Sequence, residues 1–353
     1  MAKLGYLPKE KLTDFLENLK KKYRIYVPCQ DGDAVLFQPF DGEKPLCLDR
    51  PATVSPKSVI FPQTDILFSF DYRKSSEDPK QVSIELTENL DFPETVIFGS
   101  RPCDAKGFLI YDRPYTQTDM PDIYYKGRRE KTTIITLACN YPSPGCFCTS
   151  VGGDPADKEG SDILMTDVGT GYFFEAVTAK GEEIVEDAVF EDGSSYQEKA
   201  QAAHKAVADL VKKPFDSTEG LPEKLLSLFE NDAFWEAEAA KCISCGACTY
   251  LCPTCYCFNI TDEQAGSKGE RIRSWDACMF YHFTLEASGH NPRPLKQQRL
   301  KNRVGHKFSY YPKKYEGAIA CCGCGRCIRS CPVSVDISEI VAHAQEYKDE
   351  PSK

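Results

Sequence analysis

The sequence predicts an α+β protein, with a mixed α/β domain at residues 1–220 followed by an α-helical ferredoxin-type domain at residues 221–353. Two observations support this division. Short β-branched runs alternate with helical patterns in the first part of the chain. Of the 18 cysteines, six lie in residues 1–235 and twelve in residues 236–353. This shift indicates a domain boundary, and residues 215–222 are the best linker candidate.

The first domain is predicted from apolar runs of strand length and from segments with helical spacing. The predicted strands are Ala34–Gln38, Ser58–Phe61, Ile66–Phe70, Thr95–Phe98 and Thr132–Leu137, with a hairpin over Asp162–Val177. The predicted helical segments are a surface helix through Leu12, Phe15, Leu16 and Leu19, an amphipathic helix over Ser195–Lys212, and a helix over Leu221–Ala240 that leads into the cysteine-rich part.

The composition excludes several classes of function. The formal net charge is −10, so the chain has no general basic excess for binding phosphate backbones. No apolar run approaches the roughly 20 residues that span a bilayer, and the N-terminus lacks the pattern of a signal peptide. We therefore expect a cytoplasmic protein that binds neither nucleic acid nor membranes. Its cysteines stay reduced in that compartment and are available for metal.

Two cysteine motifs of the form C-x2-C-x2-C-x3-C-P stand in the second domain. The first motif contains Cys242, Cys245, Cys248 and Cys252, and the second contains Cys321, Cys324, Cys327 and Cys331. In two-cluster ferredoxins, three cysteines of such a run bind one cluster and the fourth binds the other. Structural zinc usually uses paired C-x2-C knuckles instead. The spacing therefore predicts two 4Fe-4S clusters, the first on Cys242, Cys245, Cys248 and Cys331 and the second on Cys321, Cys324, Cys327 and Cys252.

The insert between the two motifs covers residues 253–320 and is too long for a turn. Its helix-compatible stretch Trp275–Ala287 favours a helical ferredoxin.

Four further cysteines lie in or near this insert, namely Cys255, Cys257, Cys278 and Cys322. They either bind a further centre or are buried thiols beside the clusters, and the absence of a C-x2-C pair among them favours thiols. Basic residues such as Arg303 and Lys307 offset the negative clusters, steer an acidic redox partner or form a solvated face.

Two predicted strands of the first domain, those starting at Thr95 and Thr132, run into cysteines. The cysteines that follow these strands are Cys103, Cys139, Cys146 and Cys148. Ligands collect at the carboxyl ends of parallel strands, so we expect these four thiols to converge on a third 4Fe-4S cluster. Because their spacing is irregular, a zinc site and unliganded thiols remain as alternatives. Cys29 and Cys47 have no partners at ligand spacing.

The chain lacks the usual sequence patterns of nucleotide binding and catalysis. No dinucleotide or Walker fingerprint is present, and none of the five histidines stands in a nickel, haem or triad pattern. We therefore predict no catalytic residues and expect electron transfer rather than bond chemistry.

Several segments resemble one family, which comprises the beta subunit of cytoplasmic sulfhydrogenases and the corresponding iron–sulfur subunit of anaerobic sulfite reductase. They are Phe98–Ala105, Cys146–Pro155, Cys252–Phe258, Arg273–Phe280 and Arg303–Phe308, together with the second motif. The resemblance implies a helical dicluster domain on the eight C-terminal cysteines. It also implies a non-catalytic electron-transfer subunit of an oxidoreductase complex. Its partners would be a flavin- and NAD(P)-binding subunit like ferredoxin reductase and a catalytic subunit of hydrogenase or sulfite/sulfur reductase type.

The Arg-Pro-Cys and Ala-Cys-Asn segments of the first domain also resemble the flavin-binding beta subunit of deazaflavin-reducing hydrogenases. This second resemblance leaves an alternative open. The chain would then be an FAD-containing catalytic subunit that itself oxidises a nicotinamide or deazaflavin cofactor. The usual dinucleotide loop is missing, however.

Overall fold

A computed structural model describes residues 3–75, 78 and 80–348 of the chain. The strands of this part, in chain order, are β1 (Leu4–Pro8), β2 (Arg24–Asp31), β3 (Ala34–Pro39), β4 (Thr64–Lys74), β5 (Val82–Thr87), β6 (Thr95–Ser100), β7 (Thr132–Leu137), β8 (Ile163–Asp167), β9 (Gly171–Ala176), β10 (Glu191–Asp192), β11 (Phe258–Ala265) and β12 (Lys268–Trp275).

The α-helices of the described part are short and lie mostly before residue 250 or after residue 295. They are α1 (Leu12–Leu19), α2 (Lys57–Ile60), α3 (Pro102–Tyr115), α4 (Ile123–Glu130), α5 (Ala179–Val185), α6 (Gln197–Ala208), α7 (Leu221–Ser227), α8 (Asp232–Ala239), α9 (Ala247–Tyr250), α10 (Lys296–Gly305), α11 (Tyr311–Lys314), α12 (Arg326–Arg329) and α13 (Ile337–Glu346). A π-helical turn, His306–Tyr310, connects α10 to α11, and 3₁₀ turns cover Lys9–Lys11, Cys148–Val151, Ser194–Tyr196 and Tyr281–Thr284.

The larger sheet has the order β10-β1-β9-β8-β7-β6-β2-β3. Its strands β2, β6, β7 and β8 are parallel to one another, and the outer strands pair antiparallel. Every residue of β6 and β7 is buried, as expected for parallel strands covered on both faces. Their carboxyl ends therefore meet at one edge of the sheet, where Cys103 and Cys139 follow.

Helices cover both faces of this sheet. Val96 and Phe98 of β6 pack with Phe15 of α1 in one apolar cluster. Ile97, between them, packs with Phe108 of α3 in another cluster on the opposite face. This alternation follows from the strand, because successive side chains point to opposite faces. The sheet is thus a rigid support for the loops at its edge.

A smaller antiparallel sheet joins the two parts of the chain. Its order is β11-β12-β4-β5, so strands that precede residue 90 pair with strands of the insert between the cysteine motifs. Buried Asp65 of β4 accepts hydrogen bonds from Arg128 at 2.6 and 3.0 Å and from Arg273 of β12 at 2.8 Å. Arg273 also pairs with Asp122, the N-cap of α4. These ion pairs fix the insert against the first part of the chain.

A third apolar cluster underlies the cysteine motifs. Leu225 of α7, Trp235 of α8, Val304 of α10 and Ile340 of α13 are buried in it together with Phe147, which comes from the first part of the chain. The mixed α/β architecture agrees with the predicted one in outline.

Three predicted elements are wrong in type or extent. Residues 58–60 lie in the single turn of α2, which follows Pro56, and the N–H of Phe61 at its end donates to the Lys57 carbonyl at 2.7 Å. The helix predicted over Leu221–Ala240 is interrupted at Asn231, whose side chain accepts from the Phe234 N–H and caps α8. Trp275–Ala287 begins at the end of β12 and contains only a 3₁₀ turn.

Candidate metal centres

The first motif turns around a glycine between α8 and α9. The N–H of Cys242 donates to the Ala239 carbonyl at 2.9 Å, which continues the end of α8. Gly246 has a φ of 76°, and a Cβ there would lie 2.6 Å from the ring of Phe280. Only glycine combines this conformation with so close an approach. The chain therefore turns sharply at Gly246, and α9 begins directly after it with Cys248 in its first turn.

Cysteines from both motifs line one cavity. Its cysteine lining consists of Cys242, Cys245, Cys248, Cys327 and Cys331. Much of the remaining wall is apolar and comes from residues such as Leu300, Val335 and Ile340. The structure thus brings Cys331 of the second motif to the first three cysteines of the first motif. This is the crossing over that the spacing predicts for the first cluster.

The thiols predicted for the second cluster also lie together. Burial and the neighbouring thiols of Cys252 and Cys324 raise the pKa of Cys321 to about 11. Burial likewise raises the pKa of Cys327, and the thiols of Cys252, Cys324 and Cys321 raise it further. Crowding several thiols in a buried space disfavours their thiolate forms unless positive charge is present. Cluster iron would supply such charge.

Backbone N–H groups point at sulfurs of both motifs. Ser244 donates to Cys242 Sγ at 3.4 Å, Gly323 donates to Cys321 Sγ at 3.5 Å, and Val335 donates to Cys331 Sγ at 3.2 Å. Such N–H bonds stabilise negative charge on sulfur and help to set the potential of an iron–sulfur cluster.

Lys307 places a buried positive charge beside the thiols predicted for the second cluster. The side chain is 2% exposed, and its Nζ lies 3.5 Å from Cys252 Sγ while donating to Thr254 Oγ1 at 2.6 Å and to the Ala320 carbonyl at 2.9 Å. Burial opposes the charge, but the thiolates of Cys252 and Cys255 raise the pKa of Lys307 above its ordinary value. The residue stands in the π-helical turn His306–Tyr310, and such turns are frequent at functional sites.

Arg303, one helical turn earlier, is a second buried cation. Its Nη2 donates to the Cys248 carbonyl at 2.8 Å, and its Nη1 donates to Cys255 Sγ at 3.3 Å. Arg303 therefore connects the first motif to a cysteine outside both motifs. The sequence alone leaves charge compensation and a solvated face as equal alternatives for the basic insert. For Arg303 and Lys307, burial among thiols favours charge compensation.

The four N-terminal cysteines fall into two groups. Burial and the thiols of Cys139 and Cys146 raise the pKa of Cys148 to about 12, so these three thiols are neighbours. Cys103 instead lies beside Cys322 and Cys324 of the second motif, and these thiols shift one another's pKa. Cys146 Sγ also lies 3.5 Å from the Cys324 carbonyl. The predicted third site is thus adjacent to the second motif, a neighbourhood that the sequence did not indicate.

The loop that carries Cys146 and Cys148 docks on the second motif by backbone contact. The Phe147 N–H donates to the Gly323 carbonyl at 2.8 Å. A Cβ at Gly323 would lie 2.6 Å from the backbone of Cys148, and one at Gly325 would lie 2.5 Å from the backbone of Gly145. Both motif glycines have positive φ, 61° and 69°. The second motif therefore needs glycine at both positions to receive this loop.

The remaining cysteines differ in their surroundings. Cys29 lies on β2 and is buried in the core of the main sheet, and Cys47 Sγ donates to Asp49 Oδ1 at 3.0 Å. Cys255, Cys257 and Cys278 line a cavity of their own. Among the described residues, no three His, Cys, Asp or Glu side chains are grouped so that they could hold a single metal ion. The donor chemistry of the sets above, buried cysteine sulfurs with N–H donors and cations, fits iron–sulfur clusters.

Comparison with known proteins gives two matches. The model of a 4Fe-4S dicluster domain matches residues 241–335, which contain both cysteine motifs. The chain is 30% identical over 352 residues to the sulfhydrogenase 2 subunit beta of Pyrococcus furiosus, covering 96% of this chain and 98% of that protein. No solved structure matches the chain. None of the helices in the described residues has the length and apolar character needed to cross a bilayer.

Proposed function

This chain belongs to the family of sulfhydrogenase beta subunits, and on that premise we propose that it relays electrons inside a multi-subunit oxidoreductase. The donor side would be a subunit that binds flavin and NAD(P). The acceptor side would be a catalytic subunit of the hydrogenase or the sulfite/sulfur reductase type. In this proposal the beta subunit binds and tunes the clusters and carries no catalytic residue of its own.

One observation carries this proposal, the crossed arrangement of the two motifs. Cys331 lies in the same cavity as Cys242, Cys245 and Cys248. On this basis we assign these four to a first 4Fe-4S cluster, and Cys252, Cys321, Cys324 and Cys327 to a second. Clusters of this kind exchange single electrons without making or breaking bonds in a substrate.

A third 4Fe-4S cluster is proposed on Cys103, Cys139, Cys146 and Cys148. Its support is position, because the loop before Cys148 is bonded to Gly323 of the second motif. The proposed sites follow one another, since Cys327 lines the cavity of the first cluster and Cys146 contacts the Cys324 carbonyl. Such a row of sites would suit a relay from one partner subunit to another.

We also propose a domain division, a fold for the second domain and a location in the cell. They are the division into residues 1–220 and 221–353, a helical ferredoxin character for the second part, and a cytoplasmic location. The extensive pairing of β4 with β12 means that the two proposed domains would share one sheet.

The test is electron transfer in the assembled complex. We expect Cys245→Ser to abolish transfer from reduced nicotinamide to the catalytic subunit. Flavin reduction and the turnover of the catalytic subunit with an artificial dye should persist, because neither needs the relay. Full transfer in this variant would overturn the proposal. A flavin absorbance and nicotinamide oxidation by the isolated chain would instead support the FAD-containing catalytic alternative.

A further inference from the structure

Three cysteines outside the twelve assigned above share one cavity. Cys255, Cys257 and Cys278 line a cavity of about 360 Å³, together with Arg303 and Lys307. Both cations are less than 5% exposed, at 4% and 2%. Buried thiols of no function usually pack among apolar groups, as Cys29 does in the core of the main sheet. A cavity that combines three thiols with two buried cations is a different environment.

The hairpin of β11 and β12 explains why these distant cysteines meet. Phe258 pairs with Trp275, and the Asp276 N–H donates to the Cys257 carbonyl at 2.9 Å just beyond the ladder. Cys257 and Cys278 are therefore brought together in one cavity, and the Cys278 thiol raises the pKa of Cys257. The sequence does not predict this hairpin. The spacing of the cysteines along the chain therefore gives no sign that Cys257 and Cys278 converge.

Cys255 is fixed beside this pair by side chains from both parts of the chain. Its carbonyl accepts from Lys57 Nζ at 3.0 Å and from the Tyr111 hydroxyl. Its Sγ accepts from Arg303 Nη1 at 3.3 Å. The Cys255 thiol also raises the pKa of Cys257. The three sulfurs thus belong to a preorganised group rather than to a mobile loop.

We propose that Cys255, Cys257 and Cys278 bind a further iron–sulfur centre with three protein thiolates, which leaves one ligand position to a group other than these cysteines. Thiolate sulfur is the ligand that such clusters use, and Arg303 and Lys307 would offset the negative charge of the assembly. Cys252, a ligand assigned to the second cluster, lies beside Cys255 and raises its pKa, so the new centre would adjoin the relay. This inference goes beyond the proposed function, which uses twelve other cysteines.

The experiment measures iron, sulfide and zinc in the anaerobically purified complex, with EPR of the dithionite-reduced protein. We expect Cys257→Ala and Cys278→Ala each to lose about 3 to 4 iron atoms per chain, the content of one cluster. The EPR signals that depend on Cys245 and Cys324 should remain. Cys47→Ser, a buried thiol elsewhere, is the matched control and should lose no iron. Unchanged iron in both variants, or loss of zinc instead of iron, would overturn the inference.

A second measurement keeps the inference testable if these variants do not fold. In the wild-type complex, iron-bound thiolates should resist alkylation, and Cys257 and Cys278 should react only after the clusters have been removed. Equal alkylation before and after removal would overturn the inference. If Cys245→Ser loses iron and electron transfer while Cys257→Ala loses neither, the new centre is rejected and the proposed relay stands.

Discussion

Arg326 and Asp104 form a fully buried ion pair between the two parts of the chain. Both side chains are 1% exposed, with Nη1 2.7 Å from Oδ1, and Nη2 donates to Oδ2 at 3.1 Å. Asp104 follows Cys103, whereas Arg326 lies between Cys324 and Cys327 of the second motif. The pair therefore fastens the proposed third site to the second.

Asp104→Asn should destabilise the protein strongly, because it leaves the Arg326 charge buried without its counter-charge. Breaking such a pair costs about 3–5 kcal/mol, and we expect a loss of this size in the free energy of unfolding, measured anaerobically with denaturant. The control is Glu191→Gln, which removes an exposed partner of Lys11 at 2.9 Å. It should cost less than about 1 kcal/mol. Similar losses in the two variants would mean that the buried pair has no special role.

Gly323→Ala should separate the loop of Cys146 and Cys148 from the second motif. Its Cβ would meet the backbone of Cys148 at 2.6 Å, where no flexible side chain can yield. We expect a loss of about 4 iron atoms per chain, the content of one cluster. Gly266→Ala is the control, because Gly266 also has positive φ (66°) but has nothing within 4 Å of a Cβ. Equal iron content in both variants would contradict the docking argument.

The sequence predicts the central strands β6 to β9 of the main sheet and part of β4 in the smaller sheet, but not the hairpin of β11 and β12. Thr132–Leu137 is a fully buried β-branched run and coincides with β7. The exposed strand β11 has no buried residue, and its polar sequence gives no alternation to read. β11 exists because it pairs with β12, which in turn pairs with β4 far away in the chain.

Lys307→Met should lower the reduction potential of the second cluster. Removing a buried positive charge 3.5 Å from Cys252 Sγ disfavours the reduced, more negative state. Each tenfold change in relative stability of the two states shifts a one-electron potential by about 59 mV. Redox titration followed by EPR gives the shift. Lys313→Met, an exposed lysine of α11, should leave the potential unchanged. A potential that moves as much in the control as in Lys307→Met would refute this role.

His204 should make stability depend on pH in the mildly acidic range. Burial lowers the pKa of His204, which lies 2.8 Å from Thr166 Oγ1, below its usual value of 6.5. The unfolded chain then binds the proton more readily, so the contribution is complete above pH 6.5 and is lost as the pH falls below it. Relative to His204→Gln, the wild type should lose unfolding free energy as the pH falls below 6.5. Parallel pH profiles of the two proteins would contradict this assignment.

The proposed ligands of the C-terminal clusters come from spacing alone, because the motif implies both the turn and the crossing over. Their surroundings could not be predicted in this way. Arg326 appears in the sequence as an ordinary residue of the second motif, and only the fold shows that it meets Asp104. Cys322 and Cys103 likewise become neighbours only through tertiary contact.

The most direct measurement compares EPR spectra of three variants of the complex, Cys331→Ser, Cys245→Ser and Cys324→Ser. With crossed ligands, Cys331→Ser should lose the same cluster signal as Cys245→Ser and keep the signal that Cys324→Ser loses. If Cys331→Ser instead loses the signal that depends on Cys324, each motif holds its own cluster and the crossed assignment is wrong.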